Sequence, residues 1–173
     1  MLFPERGVHA SWSFFLLVLL AAVISPVEIV VSVLLAAALH CPPEEAPLRY
    51  DAQGKPMTDG LYLSISHSRE LAACAVADRP VGLDVELVRP APRRVWEHLS
   101  PEERIYAADD AAFFRLWTAK EALLKCRGGQ FGQLREPAPF LTPEGFALPG
   151  YAFSPVQLPE GWTGTLCLAE RRA

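Results

Sequence analysis

Three different rhythms of apolar and polar residues run along this chain, and each predicts its own kind of element. From Gly7 to Pro43 the chain is almost continuously apolar: runs at Phe14 to Ile24 and Ile29 to Leu39 are broken only by Ser25-Pro26-Val27-Glu28, and Glu28 carries the one charge of the stretch. This pattern predicts a buried strand and then a helix starting near Ser25 or Pro26, with proline in the first turn and Glu28 close to the positive helix terminus. A second rhythm begins at Leu61-Tyr62-Leu63-Ser64-Ile65-Ser66, where apolar and polar residues alternate with a period of two. Leu71 to Ala77 follows as a short apolar run, and Val81 to Val88 alternates around two acids. Strands so closely spaced favour an antiparallel sheet. The short piece Leu48 to Asp51, before the turn at Ala52-Gln53-Gly54-Lys55-Pro56, reads as another strand.

Helical signals make up the third rhythm. Ser100-Pro101-Glu102-Glu103 supplies an N-cap serine, a proline at the first helical position and a glutamate three residues after the cap. A longer helix is predicted from Asp109 or Asp110: Phe113, Leu116, Trp117, Lys120 and Leu124 recur at three- and four-residue spacing, and Gly128-Gly129 stops it. Strands are predicted again at Gly145 to Leu148, Tyr151 to Val156 and Thr163 to Glu170.

Composition narrows the class. At 173 residues the chain suffices for one domain or two small halves sharing a core. Lys+Arg 16 against Asp+Glu 20 leaves a net charge of -4, which argues against a nucleic-acid partner. Neither N-terminal apolar run alone reaches the ~20 residues of a membrane span. Joined, they would place Glu28 in mid-bilayer at about 2.5–3.5 kcal/mol. A role in the core is therefore favoured over membrane attachment through residues 12–40 or a cleaved signal, and the expected compartment is the cytoplasm. Cys41, Cys74, Cys126 and Cys167 are far apart with no C-x-x-C pair, so reduced thiols are expected rather than a disulfide frame or zinc site.

Four groups of residues could carry chemistry. Asp84 and Glu86 in Gly82-Leu83-Asp84-Val85-Glu86 share one face of a strand, where two carboxylates repel unless a cation lies between them. A hard dication such as Mg²⁺ meets that need, although a solvated strand face reads equally well from two letters. Glu121 and Lys125, four apart on a helix, are either a surface ion pair or a third metal ligand with a phosphate contact. Ser64-Ile65-Ser66-His67-Ser68 is either a hydroxyl-capped turn or an anion site. Gly54-Lys55-Pro56 is a turn whose lysine is solvated unless a ligand is near.

In their order and character these four motifs resemble one family, the 4′-phosphopantetheinyl transferases of the surfactin-synthetase-activating type. Such proteins are similar in carrying a G-K-P turn, an S-x-S-H-S strand end, a G-[IL]-D-[VI]-E strand and a W-[ST]-x-K-E-[AS]-x-x-K helix. Here these read Gly54 to Pro56, Ser64 to Ser68, Gly82 to Glu86 and Trp117 to Lys125. The resemblance implies an α+β fold of two similar halves related by a pseudo-twofold, residues 1–80 and 81–173, with the active site between them. It implies Mg²⁺-dependent transfer of the phosphopantetheine arm of coenzyme A to a serine of an apo acyl or peptidyl carrier protein, by a monomer. Asp84, Glu86 and Glu121 would hold Mg²⁺, and Glu121 is the candidate base for the carrier serine. Lys125 would contact the pyrophosphate, Ser66 and His67 the phosphates, and Lys55 with Pro56 the adenine and 3′-phosphate end. Lys120 would orient Glu121 or the substrate, and Arg89, Arg93 and Arg94 could dock an acidic carrier. Relatives usually place basic residues ahead of the G-K-P turn, whereas Gly7 to Pro43 has neither lysine nor arginine. The alternatives are a non-catalytic homologue that binds nucleotide or carrier, and a metal-dependent phosphohydrolase.

Overall fold

The computed structural model describes residues 27–46, 48–50, 56–129, 140–142 and 145–171. Helix α1 spans Val27–Leu39, beginning one residue after Pro26 as the sequence pattern predicts. It closes in a left-handed residue, His40 (φ 55°), with the Cys41 N–H returning to the Ala36 carbonyl at 3.0 Å. The strand predicted ahead of it lies outside the described residues. Val31 and Leu35 are fully buried and pack on Leu63, Cys74 and Val76, so this part of the apolar N-terminus forms core. Among the described residues no helix is long and apolar enough to cross a membrane.

Under α1 lies an antiparallel hairpin of β3 (Tyr62–Ser68) and β4 (Leu71–Ala77), preceded by the two-residue strands β1 (Arg49–Tyr50) and β2 (Pro56–Met57). A second sheet has the order β5-β9-β8, from β5 (Val81–Leu87), β9 (Trp162–Ala169) and β8 (Tyr151–Pro155), all antiparallel. Leu71, Ala73 and Ala75 of the hairpin meet Leu83, Val85, Leu166 and Leu168 of this sheet in one apolar core. The architecture is α+β, as expected. A short hairpin of β6 (Phe140–Thr142) and β7 (Gly145–Ala147) precedes β8.

Between β5 and β6 the described residues form three helices: α2 (Arg93–Trp96), α3 (Pro101–Tyr106) and α4 (Asp110–Arg127). The start of α3 is a complete capping box, in which the Ser100 hydroxyl accepts from Glu103 N–H and the Glu103 carboxylate accepts from Ser100 N–H. Helix α4 is capped by Asp109, whose side chain accepts from Ala112 N–H, and ends on left-handed Gly128 (φ 67°). Its apolar residues are buried on two sides. Ala122, Leu123 and Cys126 lie against Cys167 of β9, while Phe113, Phe114, Leu116 and Trp117 form a second core with Leu99 and Ala107.

Gly82 sets the distance between α4 and β5. A Cβ at this position would stand 1.8 Å from the Ala122 carbonyl oxygen and 2.5 Å from the Cys126 nitrogen, both backbone atoms. Only glycine lets the strand lie so close to the helix, and this approach brings the acids of β5 alongside those of α4.

Candidate active site

Alternation along β5 sends Leu83 and Val85 into the apolar core and leaves Gly82, Asp84 and Glu86 on the side of α4. Helix α4 supplies Glu121 and, one turn on, Lys125. The Lys125 ammonium lies 2.7 Å from Asp84 Oδ1 and 3.0 Å from the Leu83 carbonyl oxygen. Ser66 Oγ donates to the same Asp84 oxygen at 2.8 Å. Glu86 Oε2 accepts from Ser68 Oγ at 2.7 Å and from Arg89 Nη1 at 2.9 Å. Arg89 is itself steadied by the Phe114 ring, 4.9 Å from its guanidinium carbon to the ring centroid.

Burial and mutual repulsion work against this concentration of negative charge. Asp84 is 6% exposed, and burial lifts its carboxyl above the usual aspartate range although Lys125 and Ser66 pull the other way. Glu121 is pushed up to about 7, chiefly by burial and then by the charge of Asp84, with a smaller contribution from Glu86 that Lys125 opposes. The second oxygen of Asp84, Oδ2, is buried with no hydrogen-bond partner among the described residues. A buried, unpaired carboxylate oxygen needs a partner, and the surrounding donors are carboxylates, the ligands of hard divalent cations. Among the described residues no three acids, histidines or cysteines are already gathered at metal-holding distance. The fit to a divalent cation rests on the donor chemistry and the orphaned Oδ2.

The other predicted residues are distributed differently. Ser66 is buried, and its hydroxyl is engaged with Asp84 and with the Val85 N–H. His67, next along β3, is exposed on the opposite face, so the two do not converge on one point. Pro56 opens β2 opposite Tyr50, and Lys55 lies outside the described residues. Lys120 corrects an expectation: instead of orienting Glu121, it is 2% exposed with its ammonium 2.6 Å from Glu103 Oε1. A buried ammonium requires a carboxylate partner, and the capping glutamate of α3 provides one. The importance of Gly82, Glu103 and Arg89 was missed in the motifs, although a lysine between Ala119 and Ala122 on an apolar helix was a signal for a buried ion pair.

The segment that carries this site is similar to known proteins. Residues 80–148, which carry β5 and α4, match the model of the 4′-phosphopantetheinyl transferase superfamily. The chain is 35% identical over 130 residues to the 4′-phosphopantetheinyl transferase HetI of Nostoc sp., covering 64% of this chain and 53% of that protein. It is 33% identical over 109 residues to the 4′-phosphopantetheinyl transferase gsp of Aneurinibacillus migulanus (58% of this chain, 46% of that protein). It is 37% identical over 117 residues to the 4′-phosphopantetheinyl transferase AcpT of Salmonella typhi (59% and 58%). The resemblance read from the four motifs is borne out, in that the chain is similar to these transferases. It spans about half the length of the curated relatives it matches.

Proposed function

We propose that this chain transfers the 4′-phosphopantetheine arm of coenzyme A to a serine of an apo acyl or peptidyl carrier protein and releases adenosine 3′,5′-bisphosphate. The observation that carries the reading is the buried Oδ2 of Asp84, unpartnered among the described residues, beside Glu86, Glu121 and Lys125 in the segment that matches the superfamily model. Asp84, Glu86 and Glu121 would hold Mg²⁺. Bound there, Mg²⁺ would neutralise the charge that develops on the pyrophosphate leaving group.

The chain's own groups do the rest. Glu121 accepts the proton of the carrier serine hydroxyl as its oxygen bonds to the phosphorus bearing pantetheine. The bond from that phosphorus to the bridging oxygen breaks, and the departing bisphosphate takes the electron pair. Lys125, held on Asp84 in the free chain, would turn to that leaving group and stabilise its charge. His67, exposed at the end of β3, and Lys55 with Pro56 contact the phosphates and the adenine end. In this reading residues 1–80 and 81–173 are two similar halves that meet along β3 and β5, in a monomeric enzyme of the cytoplasm.

The test is the intact mass of an apo carrier protein incubated with this chain, coenzyme A and Mg²⁺. A gain of one phosphopantetheinyl group, lost with EDTA and in Glu121→Gln, is expected. Coenzyme A cleaved to free phosphopantetheine with the carrier unmodified would replace the transferase by a phosphohydrolase. Folded protein that modifies neither acyl nor peptidyl carriers would overturn the proposal.

A further inference from the structure

The even-numbered residues of β3 make an unusual seam with β5. Ser64 Oγ accepts from Leu83 N–H at 2.8 Å, Ser66 Oγ from Val85 N–H at 3.1 Å, and Ser68 Oγ from Leu87 N–H at 3.5 Å. Partners advance together along both strands, so the serine hydroxyls take the place that carbonyl oxygens hold in a parallel ladder. A hydroxyl differs from a carbonyl in one respect: having accepted, it still has a proton to donate. Ser66 gives that proton to Asp84 Oδ1 at 2.8 Å and Ser68 gives its own to Glu86 Oε2 at 2.7 Å.

We propose that Ser66 and Ser68 are positioning residues for a divalent cation, locking Asp84 and Glu86 through hydroxyls that the backbone of β5 has already oriented. The inference rests on the cation site of the proposed function and assigns Ser66 to the carboxylate rather than to a substrate phosphate. Its logic is geometric. The backbone N–H fixes the acceptor side of the hydroxyl, which restricts where its proton can point. With Lys125 sharing Oδ1, both contacts fall on one oxygen of Asp84, and Oδ2 is the oxygen left without a partner among the described residues. Partners of this kind behind metal ligands change metal affinity by about 10–100-fold when removed. Ser66 should matter more than Ser68, because Arg89 also holds Glu86 and the Ser68 contact to β5 is the longest of the three.

The experiment measures Mn²⁺ affinity of the full chain, without coenzyme A or carrier, from the loss of the free-ion signal in electron paramagnetic resonance. Ser66→Ala should weaken binding by about tenfold or more, Ser68→Ala by a smaller factor, and Ser66→Thr, which keeps the hydroxyl, should recover most of the loss. Ser64→Ala is the discriminating control. It removes a hydroxyl from the same seam that has no carboxylate contact among the described residues, so it should lower stability while leaving Mn²⁺ affinity unchanged. If Ser66→Ala does not fold, the comparison of Ser68→Ala with Ser64→Ala decides. Equal affinity of wild type and the folded serine variants, an equal loss in Ser64→Ala, or no Mn²⁺ binding by wild type would each overturn the inference. Serine-dependent Mn²⁺ binding by a chain that transfers nothing would overturn the proposed function and leave this inference standing.

Discussion

Glu121 is held where its charge is least welcome. Its carboxyl is pushed up to about 7, first by burial and then by Asp84, so the folded chain keeps a proton that the unfolded chain has released. Between about pH 4.5 and 7 the native state therefore binds more protons than the unfolded state, and stability falls as pH rises through that window. Above it the penalty is fully present. In metal-free protein, Glu121→Gln is thus expected to raise stability at pH 8 by about 1–2 kcal/mol, after discounting for its partial exposure, with little change at pH 4. Urea titrations in EDTA at the two pH values measure this directly; a variant less stable than wild type at pH 8 would show that the carboxylate is stabilised by something other than the charges named here. The same substitution should abolish transfer. A residue whose removal strengthens the fold and ends the activity is one kept for chemistry.

At the scale of elements, the contact of β5 with α4 and that of α3 with α4 hold the site in place. Replacing Gly82 by alanine would ordinarily gain about 0.5–1 kcal/mol of backbone entropy. Here the new Cβ would sit 1.8 Å from a helix carbonyl, and because the obstacle is backbone the whole helix must lift. Steric cost should exceed the entropic gain, giving a net loss of about 3 kcal/mol or more by chemical denaturation, at or beyond the top of the range for overpacked cores. An unchanged denaturation midpoint would mean that α4 is free to slide on β5. Lys120→Met strands the buried Glu103 carboxylate and should cost about 3–5 kcal/mol. Adding Glu103→Gln should restore part of it, because glutamine can still accept from Ser100 N–H and close the cap of α3. A double variant no better than the single would place the loss in helix packing instead. The strand period of two was enough to put Asp84 and Glu86 on one face, and the helix period to put Glu121 and Lys125 on one side of α4, although Lys125 pairs with Asp84. Burial was harder to read, since Lys120 and Lys125 are the same letter in the same helix and only the depth of the surrounding core separates a structural ion pair from a site lysine. The serines were ambiguous for a chemical reason: a hydroxyl donates to a carboxylate as readily as to a phosphate.

For the molecule as a whole, the thiols mark how the layers are joined. None of the four cysteines is in a disulfide; Cys41 is half-buried and the rest are buried. Burial pushes Cys74 up to about 12, and Cys167 is raised by its hydrogen bond with Cys126 and by burial. Three units above the ordinary value leaves about a thousandfold less thiolate for attack, so native protein at pH 8 should take one alkyl group, on Cys41. The buried thiols lie in different cores: Cys74 is under α1, whereas Cys126 and Cys167 join α4 to β9. Among the described residues, helix α1 rests on the β3–β4 hairpin through a strip that includes Val31 and Leu35, while α4 is buried on two sides along its length. The thinner layer should open at lower free energy. Rising urea is therefore expected to expose Cys74 first, with Cys126 and Cys167 following together at the global transition, as read by mass spectrometry of alkylated peptides. If all three buried thiols become reactive at one midpoint, the shared core of Leu71, Ala73 and Ala75 with Leu83 and Val85 binds the two layers into a single cooperative unit, and the acids of the candidate site cannot shift without unfolding the hairpin beside them.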